Sequence, residues 1–343
     1  MHNIKKILPR ILLILVTLAC YATAVRFFYE PADDIAPYIK RELEESAGKI
    51  DTLFCGTSTA YHGFSPQIWE EQMGGYSFNI ASPSQCLKDT YFYIKQETKR
   101  NPVERIFLGI SPKGMMKEEI SLQAKLRVYD CLDGFLSKAS YLLNNCDMDQ
   151  WPYLAFYPNR VESYFRLGEV KENVSYKTSQ AYQDNEYPGK AYQGKGYFAP
   201  TKVYKGQQYQ SLEKAAGKWN TEEVNQEEET YLHKIMQYCK ENQIEFIMVY
   251  IPVTGNQILK DGDADGIHGY FSQIAQEEGV EFWDFLYYRN LIQEYSNDKF
   301  KDAHHLNKTG GTQFSQTIVE IYQTYQRGET LDRFFADCCA YYN

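Results

Sequence analysis

Five short apolar runs, at residues 50–54, 76–80, 105–110, 245–251 and 280–285, alternate with longer stretches of helical spacing at 64–72, 87–99, 222–241, 265–278 and 309–325. Runs of five to seven apolar residues are long enough for a strand and too short for a helix. The first breaks at Gly56 and the third ends at Ser111-Pro112. Where a helix separates successive strands, the connection is a right-handed crossover and the strands lie parallel, with helices on both faces of the sheet.

The pattern therefore predicts an α/β chain with a parallel sheet in a flavodoxin-like, three-layer α/β/α arrangement, spanning 49–327. A length of 343 residues with 43% hydrophobic side chains is enough for a substantial core. The rhythm is lost between about 120 and 217, which reads as a large insertion between strands three and four. It is rich in aromatic residues, as in Tyr192-Gln193-Gly194-Lys195-Gly196-Tyr197-Phe198. Rings mixed with polar groups can form a sugar-binding platform or simply cover a sheet, and both readings stand at this point. Residues 31–48 are expected to form a polar linker with a short helix, and 328–343 a C-terminal tail.

Lys5, Lys6 and Arg10 precede an uncharged run, 11–25, closed by Arg26. This is a basic flank followed by an apolar segment, and Ile7, Leu8, Phe27, Phe28 and Tyr29 extend it toward the roughly twenty residues needed to cross hydrocarbon. Residues 1–30 are read as a signal anchor, which leaves the rest outside the cytoplasmic membrane of a bacterial cell. Cleavage after the small-x-small triplet Ala22-Thr23-Ala24, giving a secreted protein, is the alternative. Thirty-six basic residues against forty-five acidic ones give a net charge of -9 without a basic block beyond the first ten residues, which argues against nucleic acid as a partner. The eight cysteines, at positions 20, 55, 86, 131, 146, 239, 338 and 339, include no C-x-x-C pair and no Cys/His spacing suited to zinc. No metal and no cofactor are expected, and Cys55 and Cys86 read as small buried apolar residues.

Gly56-Thr57-Ser58 follows the first strand, so the Ser58 hydroxyl is expected at the carboxyl edge of the sheet, where open α/β folds bind ligands. A serine there is also an ordinary helix cap. The second element is Asp302-Ala303-His304-His305-Leu306, between the last strand and the last helix. An Asp three residues before a His can turn back to accept its Nδ1 proton, which leaves Nε2 free to take a serine proton. His304 falls outside that spacing and is read as a neighbour. His62, four residues after Ser58, is read as a solvated helix histidine, with lining of the site as the alternative. His233 and His268 are given no role.

Together these elements resemble the SGNH hydrolase superfamily, whose members carry a serine after strand one and a D-x-x-H near the C-terminus. Gly56-Thr57-Ser58, Ser111-Pro112, and Asp302 with His305-Leu306 are most similar to the branch that includes the teichoic-acid D-alanylation and alginate-acetylation proteins. The resemblance implies Ser58 as nucleophile, His305 as base and Asp302 as its orienter. It further implies an extracytoplasmic serine esterase or O-acyltransferase acting on acyl esters of a cell-envelope polysaccharide or teichoic-acid-like polymer, with a membrane-bound O-acyltransferase as a partner. The chain departs from the familiar hydrolases, which place a Gly after strand two and an Asn after strand three. It has Ala81-Ser82-Pro83-Ser84 and Ser111-Pro112 instead. A backbone N–H of Ser82 or Ser84 can replace the Gly donor, whereas Pro83 cannot. Ser111 stands where the Asn donor is absent, a departure that fits an enzyme working on a partner-delivered acyl group. A second function class, a catalytically silent module that binds envelope glycan or supports an acyltransferase, leaves the Ser58, Asp302 and His305 set without a purpose. A nucleotide-binding reading of Gly56-Thr57-Ser58-Thr59 leaves the D-x-x-H unexplained.

Overall fold

The computed structural model describes residues 2–31, 34–116, 120–206 and 219–342; the side chains of 2–6, Lys5 and Lys6 among them, and the expected end of the insertion at 207–217 lie outside the described residues. The helices and strands run, in chain order, α1 (His2–Tyr29), α2 (Ala36–Glu45), β1 (Thr52–Gly56), α3 (Ser58–Gly63), α4 (Pro66–Met73), β2 (Ser77–Asn79), α5 (Leu87–Arg100), β3 (Arg105–Ile110), α6 (Pro112–Met115), α7 (Leu122–Cys131), α8 (Gly134–Asn145), α9 (Trp151–Ala155), α10 (Leu167–Lys177), α11 (Gln180–Gln183), α12 (Gln226–Glu241), β4 (Glu245–Tyr250), α13 (Gly255–Asp261), α14 (Ala264–Glu278), β5 (Glu281–Asp284), α15 (Leu291–Glu294) and α16 (Lys308–Gln326). They form two compact units, one of Met1–Arg41 with Tyr129–Gly189 and one of Glu42–Val128 with Lys190–Asn343.

The second unit holds a five-stranded sheet of order β2-β1-β3-β4-β5, parallel throughout, in the three-layer arrangement that the strand and helix alternation predicts. Helices α5, α12 and α14 cover one face, and α3, α4 and α16 the other. Much of the aromatic content lies on the latter face. Phe54 stacks on Phe64 at 4.8 Å, Phe107 meets Trp69 at 5.0 Å, and Phe314 of α16 packs on Phe64 at 5.2 Å and on Phe285 at 4.8 Å. Ring pairs at these separations prefer edge or offset geometry, so they orient helix against sheet as well as burying area. Cys55 and Cys86 are buried, and Cys86 caps α5 by accepting the Asp89 N–H at 3.4 Å. In the segment 328–343, Phe334, Cys339 and Tyr341 are buried, and Tyr341 Oη donates to the Val253 carbonyl at 3.0 Å.

The run Tyr192 to Phe198 covers the β2 edge of this sheet. Asn79 N–H donates to Lys195 O at 2.9 Å, and Gly196, at φ 77°, lies so close to Asn79 that a Cβ would collide with its carbonyl. Tyr197 is buried and Phe198 stacks on Tyr61 at 5.4 Å. These rings pack, and they protect an otherwise open sheet edge.

In the first unit, Lys177 of α10 caps the end of α1. Its ammonium donates to the carbonyls of Arg26 (3.2 Å), Phe27 (3.1 Å) and Glu30 (3.0 Å), and Asn173 Nδ2 donates to Phe28 O at 3.1 Å. Carbonyls of the last helical turn have no partner within the helix, and a cation there also meets the negative end of the helix dipole.

At the carboxyl end of β1, Gly56 pairs with Gly109 of β3, and Ala60 of α3 lies against both. Gly56 has φ 131°, and a Cβ on it would collide with the Gly109 carbonyl and lie 3.0 Å from Ala60 Cβ. Gly56→Ala is therefore expected to cost at least about 1–3 kcal/mol from backbone strain alone. Gly269→Ala, in open space on α14, is expected to be neutral or stabilising by up to about 1 kcal/mol. Urea unfolding of the two variants checks this, and equal midpoints would remove the argument for the glycine contact.

Candidate active site

Ser58 is the first residue of α3, two residues beyond the Gly56–Gly109 pair. Thr57 occupies the cap position and makes no side-chain cap to the helix, so its hydroxyl is not committed to the N–H groups of the first turn. Asn79, the last residue of β2, ties α3 to the sheet. Its Nδ2 donates to Ala60 O (2.9 Å) and Phe64 O (3.0 Å), and its Oδ1 accepts the Ala81 N–H (3.0 Å).

The 300–306 loop is closed by a bridge between Phe300 and Leu306 and by Lys301 N–H donating to His305 O at 2.9 Å. Thr254, beyond β4, donates both its N–H (3.1 Å) and its hydroxyl (2.8 Å) to Ala303 O. Asp302 Oδ1 accepts the N–H groups of His304 (2.9 Å) and His305 (3.0 Å), an Asx-type turn that folds the carboxylate under the following residues. The carboxylate then faces the His305 ring, whose Nδ1 lies 2.9 Å from Oδ1 and 3.0 Å from Oδ2. On the far side, His305 Nε2 is 2.7 Å from Ser58 Oγ. Ser58, His305 and Asp302 are thus joined by one chain of hydrogen bonds although 247 residues separate the serine from the histidine.

The electrostatics fit that chain. Burial works to raise the Asp302 pKa, but the His305 hydrogen bond and the backbone donors outweigh it and hold the carboxyl well below the usual range. Hydrogen bonds from N–H to both oxygens leave the Nδ1–H tautomer of His305 as the one that fits, with Nε2 free to accept from Ser58.

His62 is not a solvated histidine. It is buried, its ring meets that of His305 edge-on at 5.2 Å, its Nδ1 lies 2.6 Å from Phe198 O, and its Nε2 lies 2.8 Å from Lys301 Nζ. Because a carbonyl can only accept and an ammonium only donate, His62 is a neutral imidazole protonated at Nδ1. Burial and the Lys301 charge push its pKa down to about 3. Lys301 in turn sits 4.0 Å from Asp302 Oδ2. His304 lies against His305 at 4.8 Å, and burial with that neighbour pushes it down to about 4. Nothing in the local sequence pairs position 62 with 198 or 301; the first contact arises because the 192–198 segment folds back over α3, and the second comes from the 300–306 loop.

The remaining candidates lie on the loops beyond β2 and β3. Ser82 is half-buried and its hydroxyl donates to Gln85 Oε1 at 2.9 Å, while Ser84 is exposed at φ 63°. Ser111 is buried at the start of α6, and Gly114 lies between it and Thr57. Since β1 lies between β2 and β3, these loops flank the one that carries Ser58. Among the described residues no group of three His, Cys, Asp or Glu side chains is arranged to hold a metal ion.

A second Ser–His–Asp chain exists. His268 Nδ1 is 2.8 Å from Asp284 Oδ2 and Nε2 is 3.1 Å from Ser272 Oγ. Ser272 lies inside α14, where the helix already uses the backbone N–H groups, and the His268 ring stacks on Tyr287 at 3.9 Å. This chain latches α14 to the end of β5, and His233 similarly meets Glu278 of α14 at 2.6 Å.

No protein-family model and no curated protein sequence matches this chain. Among solved structures, the chain is similar to a candidate platelet activating factor from Streptococcus pneumonia, at 12% identity and TM-score 0.39 over 88% of this chain and 97% of that one. A candidate acylhydrolase from Bacteroides fragilis NCTC 9343 matches at 9% identity and TM-score 0.38, over 86% of this chain and 97% of that one.

With Asp302 held ionised and His62 and His304 titrating at about 3 and about 4, none of the three changes charge between pH 5 and 9. The pH profile of any activity that runs through this chain is therefore expected to be the same above pH 5 in His62→Gln and His304→Gln as in the unaltered protein. A displaced profile in either variant would mean that the altered imidazole carries a titration the activity depends on.

Proposed function

We propose that the protein is a serine esterase or O-acyltransferase that works through a Ser58 acyl-enzyme. The observation that carries this reading is the unbroken hydrogen-bonded chain from Ser58 Oγ through His305 to Asp302, with the serine at a helix start. His305 Nε2 takes the Ser58 proton as Oγ bonds to the acyl carbon. It returns that proton to the departing alcohol, and the acyl group stays on Ser58. A second alcohol, or water, then gives up its proton to His305 and attacks the acyl carbon; the bond from that carbon to Ser58 Oγ breaks, and His305 returns the proton to Oγ. The Ser58 N–H supplies one donor to the developing oxyanion, a backbone N–H of Ser82 or Ser84 a second, and Ser111 lines the same edge of the sheet.

The substrate class proposed is an acyl ester of a cell-envelope polysaccharide or teichoic-acid-like polymer, with transfer of a group delivered by a membrane-bound O-acyltransferase. Support comes from the resemblance of the Ser58, Ser111-Pro112 and Asp302/His305 elements to the polymer-acylating branch. Further support comes from the helix Ile7–Tyr29, long and apolar enough to cross a membrane. We read α1 as an uncleaved anchor with the rest of the chain outside, because Lys177 and Asn173 cap its final carbonyls as a structural element of its unit. Alkaline phosphatase fused to the C-terminus should be active in cells, and fluorescence from a cytoplasm-only reporter at the same position would overturn the topology.

Ser58→Ala and His305→Ala are each expected to lower turnover at least about a thousandfold, and Asp302→Asn somewhat less, with strongly non-additive losses on combination. A fluorophosphonate should add mass to the Ser58 peptide and not to the Ser272 peptide. Labelling should vanish in His305→Ala with circular dichroism unchanged. Labelling elsewhere, or full activity of Ser58→Ala on an acylated envelope polymer, would replace the enzyme reading with that of a binding module.

A further inference from the structure

The first unit carries an apolar surface that the acyl-transfer reading does not use. Phe165, in the turn before α10, is 93% exposed, and Leu167, the first residue of that helix, is 73% exposed. Isolated exposed apolar residues need no explanation, but an aromatic ring left almost wholly in water beside another large apolar side chain does.

The position of this turn relative to α1 is set by Tyr164. Its hydroxyl lies 3.4 Å from that of Tyr21, its ring meets that of Tyr29 at 5.0 Å, and its carbonyl accepts the Tyr29 hydroxyl at 3.0 Å. Phe165 and Leu167 therefore lie beside the last two turns of α1. If α1 spans the bilayer, Arg26 marks the outer boundary of the apolar run. At 1.5 Å per residue Tyr21, five residues earlier, lies about 7–8 Å inside that boundary and Tyr29, three residues later, about 4–5 Å outside it. Tyr164 touches both, so its turn lies at the boundary, where interfacial segments bury their apolar faces roughly 5–10 Å into the headgroup and acyl region. Tyr21, Tyr29 and Tyr164 form the kind of aromatic belt favoured at that depth.

The arginines near the turn are met by carboxylates. Arg166 lies 3.1 Å from Glu162 and 3.6 Å from Glu169, and Arg160 lies 2.6 Å from Asp130. These pairs leave no positive excess to demand an anionic lipid, and the long Arg166 stem can carry its head toward water.

We propose that Phe165 and Leu167 insert into the outer-leaflet boundary beside α1, as a second membrane contact that fixes the height and rotation of the first unit against the bilayer. The inference rests on the reading of α1 as a retained, spanning anchor, and its occupant is the lipid surface itself.

The test uses the full chain in phosphatidylcholine nanodiscs, in a Cys20→Ser, Cys146→Ser, Cys338→Ser background. Single cysteines at Phe165→Cys, Leu167→Cys, Leu15→Cys and Glu329→Cys carry an environment-sensitive fluorophore. The emission at 165 and 167 should be lost to a nitroxide placed near the lipid headgroup and unaffected by aqueous iodide. Leu15 should respond to a nitroxide deep in the acyl chains, and Glu329 to iodide alone. Iodide quenching at 165 and 167 equal to that at 329, with Leu15 still in lipid, overturns the proposal and leaves the anchor intact. Iodide access at Leu15 overturns the anchor reading and the proposal with it. Protection of 165 and 167 from both quenchers assigns the surface to a protein partner instead of lipid.

Discussion

The close approach of β1 and β3 at Gly56 and Gly109 governs the rest of the candidate site. The two glycines face each other in register, with Ala60 against both, so α3 can begin immediately over the end of the sheet. A side chain at either glycine would lift α3 away and carry Ser58 with it. The same tightness continues on α16, where a Cβ on Gly311 would lie 2.6 Å from His62 O. Small residues on four elements thus convert sheet pairing into a fixed location for one hydroxyl. The proposed acyl transfer would require precision of this kind, since displacement of a nucleophile by about an ångström can cost about a hundredfold.

Asp302 performs the equivalent service on the opposite loop. One of its oxygens accepts two backbone N–H groups, and both face His305 Nδ1. Its orientation is therefore a consequence of local chain geometry. The loop is held from outside by Thr254 through Ala303 O and by Asn307, whose Nδ2 donates to Asp298 O at 2.6 Å and whose Oδ1 accepts the Gly310 N–H at 3.1 Å. The carboxylate stays ionised because the His305 and backbone N–H donors outweigh its partial burial, and in the proposed reaction it would stabilise an imidazolium forming on His305 without taking the proton itself.

What could be read from the sequence divides along physical lines. Strand β3 has the bounds of its apolar run, 105–110, and α5, α14 and α16 lie within one or two residues of their expected limits, because buried parallel strands and amphipathic helices write their period directly into the chain. The separation of Asp302 and His305 was legible for a similar reason, since a three-residue Asx turn is local. Contacts between distant segments were not. His62 looked like a helix histidine because nothing near it in sequence announces Phe198 or Lys301, and its neutrality follows from those two partners alone. The region 120–217 resisted reading because its aromatic residues serve different ends: Tyr197 and Phe198 pack over a sheet edge and α3, whereas residues 129–189 belong to the unit that contains α1.

The two Ser–His–Asp chains of this molecule separate hydrogen-bond connectivity from chemistry. Ser272–His268–Asp284 has the same atom order as Ser58–His305–Asp302, with Nδ1 toward the carboxylate and Nε2 toward the hydroxyl. It differs in where the serine sits. Inside α14 each N–H is directed along the helix to a carbonyl four residues back, so an oxyanion formed on a Ser272 adduct would meet no backbone donor, and removal of one such donor alone costs about 2.7–4 kcal/mol in known serine hydrolases. At the start of α3 the first N–H groups have no intrahelical acceptor, and Thr57 does not cap them with its side chain. The helix start distinguishes Ser58 from an ordinary polar contact, and the strand-to-helix turn at Gly56 creates that start.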